Sequence, residues 1–336
     1  MKVVMNIFLG LIALVLVLTA VGCAAMHRPD IPYATLRQTY AFPESAYQQL
    51  PSGVLMHYRE TGPADAPTVL LIHGFGASTH TWAGWTQGLS DRYRVISLDL
   101  PGHGLTEAPE DYAPSMEGFA ANVQEFVEAK GLNRFVIGGS SMGGHVSASY
   151  ALAYPDRVAG LVLVGAAGWW DARADEMPFF FRLMTVPVVR DILRDADASA
   201  FTRRTLRAAF VDQSFATEDM VTRYTELSRG PGHRIIISRL MTRIRDQEYM
   251  TPERVAPLAA LPVLVMHGEQ DYIVPVDFGR RYHDAIPGSE LVTWPQVGHL
   301  PQEEITAQSL AVLEPFLART LTVPSANPSP TATAAP

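Results

Sequence analysis

Residues 139–143 read Gly-Ser-Ser-Met-Gly and fit the pattern G-x-S-x-G, with Ser141 at its centre. An apolar run, Arg134 to Ile137, precedes them and a helix-like stretch opens at Gly144. A sharp strand-to-helix turn forces its central residue into a strained backbone and exposes that side chain at a helix N-terminus. Developing negative charge is favoured there. Ser141 is therefore a candidate nucleophile. A serine hydroxyl is barely ionised at neutral pH and needs a base. Of ten histidines, His299 is the best placed, in the loop Gln296-Val297-Gly298-His299-Leu300-Pro301. The base in turn needs a carboxylate to orient it. Asp271, in Gly268-Glu269-Gln270-Asp271, supplies one; Asp171 competes for the role from an earlier position. Ser141, Asp271 and His299 come in an order known for such sets, each just past the end of an expected strand. The tetrahedral oxyanion of acyl transfer needs N–H donors. The residue after the nucleophile, Met142, offers one, and Phe75 in the bend His73-Gly74-Phe75-Gly76 offers the other. His73 itself is read as structural, and His57, His80, His103, His145, His233, His267 and His283 as surface or structural.

Those residues need a frame. Val54 to Tyr58, Thr68 to Ile72, Arg94 to Leu98, Arg134 to Ile137, Val158 to Val164, Val263 to Met266 and Leu291 to Trp294 read as strands. Most are continuous apolar runs, as strands buried on both faces should be. Thr79 to Leu89, Met116 to Ala129, Gly144 to Tyr154, Val276 to Ile286 and Ile305 to Arg319 read as helices between or after them. Alternation of this kind predicts a mostly parallel sheet covered on both faces. It is interrupted at about 168–250 by an insertion that reads as helices, with a strand conceivable only at Arg234 to Ile237. The insertion carries Trp169, Trp170, Met177, Phe179, Phe180, Phe181, Leu183 and Met184, which suit an acyl-chain tunnel, a membrane contact or the packed underside of a cap. Its arginines suit a salt-bridged helix face.

The balance of 26 basic against 34 acidic residues, net −8, argues against nucleic acid as a partner. Hydrophobic residues at 48% supply a full core. One cysteine excludes an intrachain disulfide and thiolate metal clusters. Two near-matches to nucleotide loops fail. Gly139 and Gly144 have phosphate-loop spacing, but His145 and Val146 stand where Lys and Ser or Thr are needed; after Gly74 and Gly76, Thr79 replaces the third glycine. No cofactor and no metal is expected.

Lys2 precedes an apolar run, Val3 to Val21, that ends in Ala20-Val21-Gly22-Cys23-Ala24. This resembles a bacterial lipoprotein signal, which implies lipidation of Cys23. The competing reading is an uncleaved anchor, since roughly 20 apolar residues span a bilayer. Either places the remainder outside the cytoplasm and tethered to a membrane. Residues 1–22 are thus signal or anchor, 23–45 an extended leader, 46–320 the folded domain with its cap, and 321–336 a disordered Pro/Ala/Ser/Thr tail. Oligomeric state is not legible.

The segments His73 to Gly76, Asp99-Leu100-Pro101-Gly102-His103-Gly104, Gly139 to Gly144, Gly268 to Asp271 and Gly298-His299 together resemble the α/β-hydrolase superfamily, over roughly Val54 to Thr320. Ser141-Met142-Gly143-Gly144 and the helix after it look closest to monoacylglycerol-lipase-like and bacterial esterase/lipase members. The resemblance implies an eight-stranded sheet, a helical cap inserted after strand six, and Ser141, Asp271 and His299 as nucleophile, acid and base. The expected activity is hydrolysis of carboxylic esters, lipid or acylglycerol esters foremost, through an acyl-enzyme. Serine at 141 counts against relatives with an aspartate nucleophile. Carbon–carbon bond hydrolysis, perhydrolase or haloperoxidase-like chemistry, and a non-catalytic lipid-binding role on the same scaffold are the alternatives.

Overall fold

The computed structural model describes residues 24–171, 194–243 and 248–321, with the isolated positions 9 and 22. Eight strands form one sheet in the order β1-β2-β4-β3-β5-β6-β7-β8. They are β1 (Ser45–Gln49), β2 (Leu55–Thr61), β3 (Thr68–Ile72), β4 (Arg94–Leu98), β5 (Phe135–Ser140), β6 (Val158–Val164), β7 (Val263–Gly268) and β8 (Glu290–Trp294). β2 is antiparallel to both β1 and β4, and all other pairs are parallel. This is the α/β-hydrolase architecture expected, with the helical insertion after β6.

Side chains alternate across a strand, so a continuous apolar run feeds two cores. Leu70, Ile72, Ile96, Leu98, Leu161, Leu163, Val263 and Val265 face one core. It is closed by the helices α3 (Met116–Ala129), α4 (Met142–Ala153) and α8 (Val276–Ala285), through residues such as Phe126, Val146 and Phe278. Val69, Leu71, Val95, Val162, Val164, Leu264 and Met266 face the other. There α2 (Ala83–Leu89) and α9 (Thr306–Thr320) bring Trp85, Leu89, Leu313 and Phe316.

Two expectations need correction, one in the amino-terminal part and one in the cap. The stretch read as an extended leader contains α1 (Tyr33–Tyr40), and β1 begins at Ser45. Neither has a strong apolar pattern: α1 buries only Leu36, and β1 is a half-buried edge strand. Both are held by partners instead. Arg37 pairs with Glu107, and the Tyr40 hydroxyl donates to Glu226 at 2.6 Å. The possible strand at Arg234 to Ile237 is helical, within α7 (His233–Thr242). Ile236 and Leu240, four residues apart, form its buried stripe.

The cap contains α5 (Ser199–Ala209), α6 (Glu218–Leu227) and α7 among its described residues. Its two ends meet at a neck, where the Met250 N–H donates to Gly168 O at 2.8 Å. The chain before α1 is stitched to the cap rather than to the sheet. Arg28 N–H donates to Asp195 O, and Asp197 N–H to Met26 O, each at 2.8 Å. Arg234 reaches Arg28 O and the Asp30 carboxylate. Several cap arginines are thus engaged in the salt-bridged manner expected, as Arg203 is with Glu218.

Residues 172–193, which include Met177, Phe179 to Phe181, Leu183 and Met184, lie outside the described residues, as do Cys23, nearly all of 1–22 and the tail from 322. Among the described residues no helix is long and apolar enough to cross a membrane.

Candidate active site

Ser141 links β5 to α4 with φ +55°, the one positive value at a non-glycine position among the described residues. Such a backbone costs roughly 1–3 kcal/mol and persists where its surroundings over-determine it. Here they do. Ser141 N–H donates to Val164 O at 2.9 Å, and Ser141 O accepts from Ala167 N–H at 3.0 Å. Both ends of the residue are therefore locked to the end of β6. On the other side α4 presses against β3: a Cβ on Gly143 would lie 2.2 Å from Ile72 O. Only glycine permits that approach.

Asp271 and His299 come from turns after β7 and β8. His299 Nδ1 lies 2.7 Å from Asp271 Oδ2, which fixes Nε2 as the ring nitrogen left to accept a proton. Gly165, next in chain to Val164, packs on this pair, since a Cβ there would sit 3.3 Å from His299 Nδ1 and 3.5 Å from Asp271 Oδ2. The end of β6 thus contacts Ser141 and the His299–Asp271 pair together. Among the described residues no hydrogen bond joins the Ser141 hydroxyl to His299. Such bonds often close only with substrate bound.

Asp271 has further donors that the sequence reading did not assign. His267 Nε2 lies 3.1 Å from Asp271 Oδ2, and the N–H groups of Ile273 and Val274 each reach Oδ1 at 2.8 Å. Burial by itself raises the carboxyl's pKa. The His299 ring and the bonds from His267 and His299 overcome it and hold the group far below the usual carboxylate range. His267, one of the histidines expected to be surface or structural, is buried against Asp271, and their four-residue spacing is the one sequence signal of the contact.

Neither the Phe75 nor the Met142 N–H donates to a protein acceptor among the described residues. Met142 opens α4, where first-turn N–H groups have no intrahelical partner. The Phe75 bend is held by His73. Its Nε2 accepts from Leu100 N–H at 2.9 Å, so Nδ1 carries the proton and donates to Gly74 O at 2.7 Å. A Cβ on Gly74 would lie 3.1 Å from Ser141 Cβ, so this bend adjoins the serine directly.

A second Ser–His–Asp set exists. Ser45 Oγ lies 2.8 Å from His57 Nε2, and His57 Nδ1 2.6 Å from Asp99 Oδ2. Its surroundings differ from those of Ser141. Ser45 lies on an edge strand and accepts from Phe42 N–H, while Asp99 also takes the N–H groups of Thr79 and Leu105. This set joins β1, β2 and the turn after β4. It is a structural brace.

Two buried histidines near these turns bear on acid stability. Burial pushes His103 down to about 3 and His145 down to about 4. An unfolded chain takes up these protons near pH 6.5. The folded chain refuses them until pH about 4 to 3, so stability is full above pH 6.5 and lost as pH falls through that window. Asp99 and Asp271, both depressed, add to the loss below about pH 3.9. Melting temperature should therefore decline from about pH 6.5 downward. His103→Gln should flatten that decline; an unchanged slope would remove His103 from the account.

A family model for the alpha/beta hydrolase fold matches residues 67–305. The chain is 28% identical over 267 residues to a 2-hydroxy-6-oxononadienedioate/2-hydroxy-6-oxononatrienedioate hydrolase of Paraburkholderia phymatum, covering 78% of this chain and 90% of that protein. Among solved structures it is similar to a meta-cleavage product hydrolase from Pseudomonas fluorescens IP01. That match has a TM-score of 0.71 and 25% identity, over 82% of this chain and 97% of the other. It is also similar to a membrane phospholipase A described as a bacterial virulence factor. There the TM-score is 0.68 and the identity 25%, over 96% of this chain and 100% of the other.

Proposed function

From the premise that the chain belongs to the alpha/beta hydrolase fold family, as a serine hydrolase, we propose that it cleaves carboxylic esters of lipids through an acyl-enzyme. Ser141 Oγ attacks the ester carbonyl while His299 Nε2 takes its proton. The N–H groups of Phe75 and Met142 hold the oxyanion. Collapse expels the alcohol, which receives the proton from His299. Water, deprotonated by the same nitrogen, then releases the acid from Ser141. Asp271 fixes the ring and stabilises the imidazolium.

One observation favours a lipid substrate. The likeness to the membrane phospholipase A runs over 96% of this chain, whereas that to the meta-cleavage product hydrolase stops at 82%. The same reading has the chain tethered to a membrane by its first residues, through a lipidated Cys23 or an anchor helix, with the catalytic domain outside the cytoplasm, a placement that rests on the amino-terminal sequence pattern. Monoacylglycerols and phospholipids are the substrates this reading favours.

The 28% identity to the carbon–carbon hydrolase supports a second reading. The same serine site would then cleave a carbon–carbon bond, in a substrate of the 2-hydroxy-6-oxo acid kind that the relative's name gives. Full-length protein in detergent, given p-nitrophenyl esters of graded chain length, monoacylglycerols, phospholipids and a ring-cleavage dienoate, separates the two. Turnover of the acyl lipids is expected. Turnover of the dienoate alone would sink the ester assignment.

A further inference from the structure

The loop that carries His299 is docked on the cap. His299 N–H donates to Ala209 O at 2.7 Å, so it satisfies one of the carbonyls that the end of α5 leaves without an intrahelical partner. Contact is close: a Cβ on Gly298 would lie 2.4 Å from Ala209 O. Leu300, on the other side of His299, packs in the cap's own apolar cluster with Leu206, Phe210 and Val221. The carboxylate of Glu304 joins the two parts. Its Oε2 accepts from Gly298 N–H at 2.7 Å, on the His299 loop. Its Oε1 accepts from Val211 N–H at 2.8 Å and Asp212 N–H at 3.1 Å, on the cap just past α5.

We infer that Glu304 is a positioning residue: a clasp through which the cap sets the place of His299. One carboxylate holds three N–H groups, one on the base's own loop and two on the cap. Bonds to an ionised acceptor are the stronger kind. Movement of the 209–212 segment therefore reaches the backbone of His299 directly, by the Ala209 bond and by the clasp. The base is in register with Asp271 when the cap is seated and loses that register when the cap shifts. This rests on the reading of His299 as the base, but not on which bond the enzyme cleaves.

The test is a double-mutant cycle in the full chain. Glu304→Ala opens the clasp at its centre. Val211→Pro opens it from the cap side by removing one N–H, at a position preceded by Phe210 with φ −117° and ψ +145°, the extended backbone that a proline requires of its predecessor. Val211 is exposed and touches neither Ser141 nor Asp271 through any hydrogen bond of the site. Each variant should lower kcat on a short soluble ester by on the order of 10- to 100-fold, the size expected when a catalytic group is misplaced by about 1 Å. KM should stay within about twofold, because the clasp holds the base and not the substrate. The rate at which a fluorophosphonate labels Ser141 should fall in parallel. The double variant should be no worse than the weaker single one, since both open the same clasp. Should Glu304→Ala not fold, Glu304→Gln replaces it in the cycle; it keeps the volume and offers its one carbonyl oxygen to one side only. Wild-type kcat in Val211→Pro, or losses that multiply in the double variant, would overturn the clasp. Absence of labelling in the wild type would overturn the triad reading and the clasp with it, whereas rapid labelling without ester turnover would overturn the substrate assignment alone.

Discussion

Ser141→Ala should leave a folded protein with kcat reduced on the order of 10⁶, the loss that follows removal of a triad nucleophile. The covalent route is then closed, and the oxyanion donors and substrate binding alone remain. The side chain lost is small, and the turn is held by the bonds from Ser141 N–H to Val164 O and from Ala167 N–H to Ser141 O, which alanine keeps. Melting temperature should change little, and fluorophosphonate labelling should vanish. Ser140→Ala is the control. That side chain is buried, and its hydroxyl is 3.4 Å from Gln302, away from the strained position. It should cost far less. Retention of wild-type turnover by Ser141→Ala would end the assignment.

Asp271→Asn should lower kcat by on the order of 10⁴, as in other triads where the carboxylate becomes an amide. The amide cannot stabilise the imidazolium and favours the wrong tautomer at His299. Oδ2 of Asp271 faces two imidazoles and Oδ1 two backbone N–H groups, so an NH2 in either position meets a donor. Some stability should be lost as well. Asp171 begins the descent into the cap, and Asp171→Asn should change turnover little. Kinetics of the two purified variants decide the matter; a severe loss in Asp171→Asn with an active Asp271→Asn would transfer the role.

The sheet was legible because buried parallel strands advertise themselves as unbroken apolar runs, and each of β2 to β8 has one or alternates. β1 did not, because an edge strand of composition Ser-Ala-Tyr-Gln-Gln buries no face completely. In α7 the three consecutive isoleucines favoured a strand, yet the buried stripe of Ile236 and Leu240 placed them on a helix. The triad candidates were legible from the strained turn and from chain order. The supports were not. His267 is only four residues from Asp271, but that spacing alone does not mark a contact across a turn, while His73 under the Phe75 bend and Glu304 between loop and cap act through backbone N–H groups, which carry no residue signature.

The stitching of Met26, Arg28 and Asp30 to Asp195, Asp197 and Arg234 has a mechanical meaning. A pull applied ahead of residue 24 is borne first by hydrogen bonds to the cap, at Asp195 and Asp197 just before α5 and at Arg234 of α7. The sheet feels it only later, through α1. One load path therefore runs from Met26 and Arg28 into α5, along α5 to Ala209, and from there into the backbone of His299. If the chain is tethered at that end, as proposed, tension on the tether reaches the His299 loop through the cap before it reaches the sheet.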